Sequence, residues 1–194
     1  MLEPQLYLAS RSPRRRELLR QIGVRHHVLA VDVHEQAGRG EAAEDFVTRA
    51  ALDKARAGWR AGGRALDRPV LGADTAVVLD GEVLGKPRGR SHGLEMLDRL
   101  SGRRHRVLSG VALVQGRREV VRLSASEVEF RPVSERERVA YWGTGEPQDK
   151  AGAYAIQGRG AVFVAALHGS YSGVMGLPLF ETSQLLGEFG IDVF

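Results

Sequence analysis

The chain has 194 residues, of which 43% are hydrophobic, enough for one well-buried core or for two small lobes that share a cleft. It has no cysteine, which excludes disulfides and thiolate zinc sites, and its first apolar run, MLEPQLYLAS, is too short for a signal peptide or a membrane span. The net charge of +4, mixed along the chain, suits a nucleotide at least as well as a polymer. We therefore expect a cytoplasmic protein with a single domain over residues 1–194 and no membrane partner.

The first predicted elements are a strand, a helix and a second strand. The stretch QLYLAS predicts a short strand, and LASRSPRRRELLRQIG predicts a helix with Ser12 at the N-cap, Pro13 at the first position and Gly23 after its end. The apolar run HHVLAVDV then predicts a strand that ends near His34 and Glu35.

Three arginines lie in the first turn of that helix, where the helix macrodipole disfavours cations. An exposed Arg14, Arg15 or Arg16 costs roughly 0.3–1 kcal/mol there. The pattern therefore predicts an anion that binds at the start of the helix. We expect Arg14 to contact it, and at least one of Arg15 and Arg16 to be surface charge only.

Lysine is rare in this chain. Of 28 basic residues, only Lys54, Lys86 and Lys150 are lysine. An ammonium approaches a phosphate oxygen from any side, which a planar guanidinium cannot imitate, so the three lysines invite a specific explanation. A helix is predicted over about 42–59, and Lys54 falls on its apolar face. A lysine there usually snorkels to solvent, but the rarity of lysine favours projection into a cleft.

The stretch VLGADTAVVLDGEVLGKP predicts two strands joined by a turn at Asp80-Gly81. Asp74 interrupts the first strand, and a buried carboxylate is costly unless it is paired, hydrogen-bonded or metal-bound. One interpretation is an aspartate at a strand end that binds nearby backbone N–H groups. The other is a Mg²⁺ site shared with Glu35, because Mg²⁺ binds one or two carboxylates together with substrate phosphates.

The remaining elements follow from turn and cap signals. Ser134 and Glu137 predict a capping box, and His105 is expected to be structural. The segment from GTGEPQDK to GVMGLP is rich in glycine, which is typical of a functional loop. The predicted elements are a helix over 91–100, two long strands around Gly116-Arg117, a short helix reaching Trp142, a strand over 161–167 and a helix over 179–189.

Four motifs, in order from about Leu6 to Leu186, resemble the Maf family of nucleoside triphosphate pyrophosphatases. They are LASRSPRRRELL, GADTAVVLDGEVLGKP, LSGRRHRVLSGVAL, and EPQDKAGAYAIQGRGAVFV with GSYSGVMGLP. Arg14, Thr75 and Gln157 match the branch that acts on dTTP and UTP rather than on 7-methyl-GTP. The resemblance implies an α/β fold with an elongated mixed sheet and two lobes flanking a central cleft, similar to inosine triphosphate pyrophosphatases.

The resemblance also implies roles for individual residues. The general base falls on Asp74, which with Glu35 would hold the metal, and Lys54 and Lys86 are the further catalytic residues. The other residues implied to bind substrate are Ser10, Arg14, Thr75, Asp149, Lys150 and Gln157. The sequence departs from the family pattern at two positions. His34 stands where an acidic residue is frequent, which affects the number of carboxylates that bind the metal. Arg11 stands where a small residue is common, which affects how open the site is at its phosphate-binding end.

The implied reaction is hydrolysis of dTTP, UTP and modified pyrimidine nucleotides to the monophosphate and pyrophosphate. The implied cofactor is a divalent cation, Mg²⁺ first, with Mn²⁺ or Co²⁺ as alternatives. The competing hypothesis is a non-catalytic nucleotide- or nucleic-acid-binding regulator of cell division, because the family has been linked to septum inhibition. A nucleic-acid partner is not expected, since aromatic residues are 6% and are not interleaved with the arginines. The sequence does not decide between a monomer and a homodimer.

Overall fold

A computed structural model of the protein describes residues 3–33, 36–38, 40–63 and 66–194. The strands are β1 (Leu6–Leu8), β2 (His26–Val28), β3 (Val70–Leu79), β4 (Glu82–Leu84), β5 (Arg104–Gln115), β6 (Arg118–Phe130) and β7 (Val164–His168). The helices are α1 (Pro13–Gln21), α2 (Ala43–Gly62), α3 (Arg90–Leu100), α4 (Glu135–Trp142), α5 (Tyr171–Met175) and α6 (Leu179–Glu188). Short 3₁₀ turns lie at Glu146–Asp149, Ala151–Ala153 and Arg159–Phe163.

The strands of the described residues form a seven-stranded mixed sheet of order β2-β1-β3-β5-β6-β7, with β4 paired to β3. Strand β1 pairs in parallel with β2 and with β3, whereas the β3–β4 and β6–β7 pairs are antiparallel. This confirms the predicted mixed α/β class. The chain divides into two compact units, the first with Met1–Asp74, Ser109–Ser124 and Gly176–Phe194, the second with Thr75–Leu108 and Ala125–Met175.

In the first unit, α2 packs very closely on the sheet. A Cβ at Gly72 of β3 would overlap the carbonyl oxygen of Ala51, and one at Gly110 of β5 would overlap that of Val47. Glycine at these two positions lets the helix backbone approach the strands without intervening side chains. The buried face of α2 is formed by Ala43, Phe46, Val47, Ala50, Ala51, Lys54, Ala55 and Gly58.

In the second unit, α3 and α4 pack together at a glycine as well. A Cβ at Gly93 would overlap the ring of Trp142, so the indole fills the space that a side chain would take. A cluster of rings packs mostly edge-to-face in this unit, which is the arrangement that aromatic quadrupoles favour. Its members are His105, Phe130, Tyr141, Tyr154 and Phe163.

Most predicted elements are confirmed within the described residues, and the turn between β3 and β4 is the clearest case. Asp80 and Gly81 have φ of 52° and 80°, the left-handed pair that a two-residue hairpin needs. The capping box is also present: Ser134 accepts a hydrogen bond from the amide of Glu137, and the Glu137 carboxylate accepts one from the amide of Ser134.

Two predicted strands were wrong in their bounds. Strand β2 ends at Val28 because its neighbour β1 ends at Leu8, where the chain leaves for α1, and residues 29–33, the described part of the predicted extension, form no strand. Strand β7 begins at Val164 rather than at 161, because the preceding residues form the 3₁₀ turn Arg159–Phe163. The amides of Arg159 and Gly160, in this turn, donate hydrogen bonds to the Glu146 carboxylate.

No helix of the described residues combines the length and the apolar character needed to span a membrane.

Candidate active site

The start of α1 has the predicted geometry, with one difference at the cap. Pro13 is the first helical residue and Ser12 occupies the N-cap, but the Ser12 side chain makes no capping hydrogen bond. Its backbone amide instead donates to Oγ of Ser10, over 3.2 Å. Arg14, the second residue of the helix, is half-buried, and the first turn contains no acidic residue. This helix start is therefore cationic, as the sequence predicts.

Ser10 is a buried hydroxyl that accepts two hydrogen bonds. Besides the amide of Ser12, Nη1 of Arg15 donates to its Oγ over 3.2 Å, and Nε of Arg15 donates to the carbonyl of Gly176 over 2.7 Å. Arg15 is therefore not surface charge only, because this side chain holds Ser10 in place, and the prediction that at least one of the two arginines is surface charge now rests on Arg16. Arg16 is half-buried, and its Nε has no hydrogen-bond partner among the residues that the structure describes.

Lys54 and Asp74 form a buried ion pair. Nζ of Lys54 donates to Oδ1 of Asp74 over 2.7 Å and to the carbonyl of Ala73 over 3.5 Å. The two residues are only 7% and 6% exposed, so Lys54 does not snorkel to solvent. Asp74 lies in the middle of β3 and is paired with a side chain, which rules out the interpretation of an aspartate at a strand end.

Among the residues that the structure describes, the donors at this site fit a divalent cation that is shared with a substrate. No group of three or more His, Asp or Glu side chains in the described parts of the chain is placed to hold a metal. Glu35, the second predicted ligand, and His34 lie outside the described residues. One carboxylate such as Asp74 fits Mg²⁺, which keeps several waters and binds substrate phosphates rather than a cage made only of protein oxygens.

In the second unit, the remaining predicted lysines are close to the glycine-rich segment. Lys86 is exposed, two residues after the end of β4, and the carbonyl of the residue between them, Gly85, accepts a hydrogen bond from the amide of Gly152 over 3.1 Å. Gly152 has a φ of 66°, a left-handed conformation that favours glycine. Nζ of Lys150 donates to the carboxylate of Asp149. The backbone that carries Lys86 is thereby tied to the segment that carries these two residues.

The residues that mark the dTTP and UTP branch lie on different elements. Thr75 follows Asp74 in β3 and is half-buried, and Gln157 is exposed in the glycine-rich segment. Since side chains alternate along a strand, Gly72 and Asp74 share the face that packs on α2, and Thr75 lies on the opposite face. Asp74 and Thr75 therefore have different surroundings although they are neighbours in sequence.

Sequence reasoning missed Glu146, which links the two ends of the glycine-rich segment. Its Oε1 accepts hydrogen bonds from the hydroxyl of Tyr141 over 2.6 Å and from the amide of Gly160 over 3.1 Å. Its Oε2 accepts from the amide of Arg159 over 3.0 Å. Burial alone would raise the pKa of Glu146, but these hydrogen bonds and the charge of Lys150 outweigh it and lower the pKa.

His105 is structural, as predicted. It is buried, its Nε2 shares a hydrogen bond of 2.8 Å with the hydroxyl of Tyr154, and Phe130 packs on its ring. Nδ1 of His105 has no hydrogen-bond partner among the described residues. Burial lowers the pKa of His105 to about 4, so the imidazole is neutral at pH 7.

Similarity to known proteins covers nearly the whole chain. The chain is 63% identical over 192 residues to the dTTP/UTP pyrophosphatase of Alkalilimnicola ehrlichii. This alignment covers 97% of this chain and 95% of that protein. It is 56% identical over 187 residues to the dTTP/UTP pyrophosphatase of Methylococcus capsulatus, in an alignment that covers 96% of this chain and 92% of that protein.

The chain also has a weak structural likeness to the Staphylococcus aureus Ham1 protein. The sequence identity is 17% and the TM-score 0.42, over 64% of this chain and 71% of that one. The family described as Maf-like protein matches residues 5–189. This match and the two close relatives confirm the resemblance seen in the four motifs, and the chain belongs to the Maf family.

Proposed function

We propose that this chain hydrolyses nucleoside triphosphates, with dTTP and UTP as preferred substrates, to the nucleoside monophosphate and pyrophosphate. The observation that carries the proposal is the 63% identity, over nearly the full length of both chains, to a dTTP/UTP pyrophosphatase. The buried Lys54–Asp74 pair supports it, because hydrolysis of an anhydride needs a positioned base. We propose further that residues 1–194 act as one domain, which the family match over 5–189 supports.

The triphosphate is proposed to bind at the start of α1. Arg14 in the first turn supplies positive charge, and the free N–H groups of a helix start bind anions. Oγ of Ser10 already accepts two hydrogen bonds, which occupy both of its lone pairs and leave the hydroxyl proton to be donated to a phosphate oxygen. Arg15 acts through Ser10, because it fixes the direction of that hydroxyl.

Asp74 is proposed to be the general base. Lys54 binds Oδ1, and the other carboxylate oxygen orients a water molecule and takes its proton as the water attacks the α-phosphorus. The P–O bond to the β-phosphate breaks, and the negative charge moves onto pyrophosphate. Because Lys54 lies 2.7 Å from Asp74, its proposed role is to orient that carboxylate. Lys86 is proposed to neutralise the charge of the leaving group.

Asp74, with Glu35 as the proposed second ligand, would hold the divalent cation, Mg²⁺ first and Mn²⁺ or Co²⁺ as alternatives. A cation there supplies Lewis-acid polarisation of the phosphoryl oxygens. The remaining proposed contacts concern recognition of the nucleotide. Thr75 and Gln157 would form hydrogen bonds with the pyrimidine base, since a Gln side chain offers both a donor and an acceptor. Asp149 and Lys150 would form the rest of the substrate pocket.

The test is a metal-dependent hydrolysis screen of dTTP, UTP, CTP, ATP and GTP, with both products quantified by chromatography. We expect monophosphate and pyrophosphate in equal amounts, faster turnover of dTTP and UTP than of ATP or GTP, and no turnover in EDTA. A preference for purines contradicts the assigned specificity, and release of orthophosphate contradicts the assigned bond. Oligonucleotide binding that falls steeply with salt, without turnover of any triphosphate, favours the competing regulator.

A further inference from the structure

Glu146 closes the glycine-rich segment into a loop. Counted from Glu146 itself, its backbone partners are 13 and 14 residues further along the chain, so one carboxylate joins the two ends. Tyr141 adds a second tie, because its hydroxyl donates to Glu146 and also accepts a hydrogen bond from the amide of Ala155, in the middle of the loop, over 3.1 Å. We call residues 146–160 the pocket loop.

The backbone of the pocket loop is shaped around this carboxylate. A Cβ at Gly158 would overlap Oε2 of Glu146, and a Cβ at Gly160 would lie 2.7 Å from both the carbonyl oxygen of Ala155 and the hydroxyl oxygen of Tyr141. Neither glycine has a left-handed φ, so it is the close approach and not the backbone conformation that requires glycine there. The position of Glu146 therefore accounts for glycine at 158, and Tyr141 together with the Ala155 carbonyl accounts for glycine at 160.

The hydrogen bonds of Glu146 require a carboxylate. All three partners are donors, and an ionised carboxylate is a pure acceptor, whereas a glutamine side chain would turn an N–H₂ group towards one of them. Burial and the hydrogen bond to Glu146 raise the pKa of Tyr141, so this phenol stays a donor. We call these three hydrogen bonds to the Glu146 carboxylate the clasp. At neutral pH each of them joins a donor to an acceptor.

We propose that Glu146 is a positioning residue for nucleotide recognition: its clasp holds Asp149, Lys150 and Gln157 of the pocket loop in the conformation that binds the substrate. The inference rests on the proposed function, since it assigns a part in substrate binding to that loop. Glu146 accepts its hydrogen bonds from Tyr141, Arg159 and Gly160, and these three residues have no proposed part in the chemical step. Loss of the clasp should therefore weaken substrate binding and leave the step itself largely unchanged.

The experiment compares Glu146→Gln with Glu95→Gln, a matched change at an exposed position of α3. For Glu146→Gln we expect KM for dTTP to rise about tenfold, as loss of one charge-assisted hydrogen bond predicts, with kcat within about twofold. The preference for dTTP over ATP should shrink, and the amides of 155–160 should exchange hydrogen faster. Glu95→Gln should match the wild type in all four measurements.

A second variant, Tyr141→Phe, keeps the ring against Phe163 and removes only the hydroxyl. It should change KM and the dTTP preference in the same direction, by about threefold, so the inference is tested even if Glu146→Gln folds poorly. Unchanged KM and preference in both variants, with or without faster exchange, overturn the inference while the function stands. A wild-type protein that hydrolyses no triphosphate overturns both.

Discussion

At the scale of single residues, the buried pair of Lys54 and Asp74 explains why a lysine occupies a position on an apolar helix face. The ammonium lies 2.7 Å from the carboxylate, and both side chains are less than a tenth exposed. Such a pair contributes little net stability, because desolvation of both charges offsets their attraction. Removal of either partner nevertheless leaves an uncompensated buried charge, so stability and chemistry are coupled at this site.

We expect Asp74→Asn to lower kcat by about 10²–10⁴-fold, because an amide cannot take the proton of the attacking water. The same change should reduce the free energy of unfolding by roughly 3–5 kcal/mol, since Lys54 loses its counter-charge. Steady-state kinetics and urea denaturation measure the two effects, with Asp192→Asn at an exposed position as the control.

The double variant Asp74→Asn, Lys54→Met separates the two effects. It should recover much of the lost stability, because no unpaired charge remains, but none of the lost turnover. If the single variant instead keeps wild-type kcat per folded molecule, Asp74 is a structural aspartate and the proposed base must lie elsewhere.

Lys54→Arg keeps the charge but changes its shape. A guanidinium is wider than an ammonium and cannot fill the same buried space beside Asp74, so we expect kcat for dTTP to fall at least tenfold. Arg117→Lys, the reverse exchange at an exposed turn position, should leave kcat unchanged. Activity within about twofold of the wild type in Lys54→Arg would show that the ammonium is not needed to orient the base.

At the scale of secondary-structure elements, the position of α2 on the sheet determines whether Lys54 can reach Asp74. The helix backbone lies directly over Gly72 of β3 and Gly110 of β5, with no side chain between them. Gly72 is two residues from Asp74 on the same face of β3, so the closest approach of the helix coincides with the ion pair. Helix packing and site geometry therefore depend on the same glycine.

Gly72→Ala should displace α2, because the added methyl group would overlap a helix carbonyl that cannot rotate away. We expect a loss of roughly 1–3 kcal/mol in the free energy of unfolding, as is usual for overpacking, together with lower kcat in the folded fraction. Denaturation and kinetics on one preparation measure both. The control is Gly187→Ala in α6, where a Cβ meets nothing within 4 Å. Unchanged stability in Gly72→Ala would contradict the close packing described here.

At the scale of the whole molecule, pH is expected to act on stability through a buried histidine. Burial holds the pKa of His105 at about 4, against 6.5 in the unfolded chain. Between these values the unfolded chain binds a proton that the folded protein does not bind, so acid favours unfolding. Stability from this group is complete above pH 6.5, falls progressively between pH 6.5 and pH 4, and changes little further below pH 4.

The pH dependence can be measured as the free energy of unfolding between pH 7 and pH 4. The difference in pKa corresponds to roughly 3 kcal/mol lost over this interval. His105→Gln, which does not titrate, should be less stable than the wild type at pH 7 but should show a flatter pH profile. His168→Gln, at an exposed position, should keep the wild-type profile. An equally steep profile in His105→Gln would show that other groups cause the acid sensitivity.

The sequence by itself determined those features that depend on neighbouring residues. The Asp80-Gly81 hairpin, the Ser134–Glu137 capping box and the start of α1 at Pro13 each follow from the backbone preferences of a few consecutive residues, and all three are present. The rarity of lysine and the carboxylate inside an apolar strand also marked Lys54 and Asp74 as candidates, although nothing in the sequence showed that the two side chains meet.

Only the tertiary structure decided which of these candidates contact each other. Lys54 and Asp74 are 20 residues apart and meet because α2 packs on glycines of the sheet, and Arg15 reaches the carbonyl of Gly176 across 161 residues of chain. Strand β2 ends early because its neighbour ends, which its own residues do not encode. Each of these outcomes depends on contacts between distant segments, whereas propensity, capping and turn chemistry act only over a few neighbouring residues.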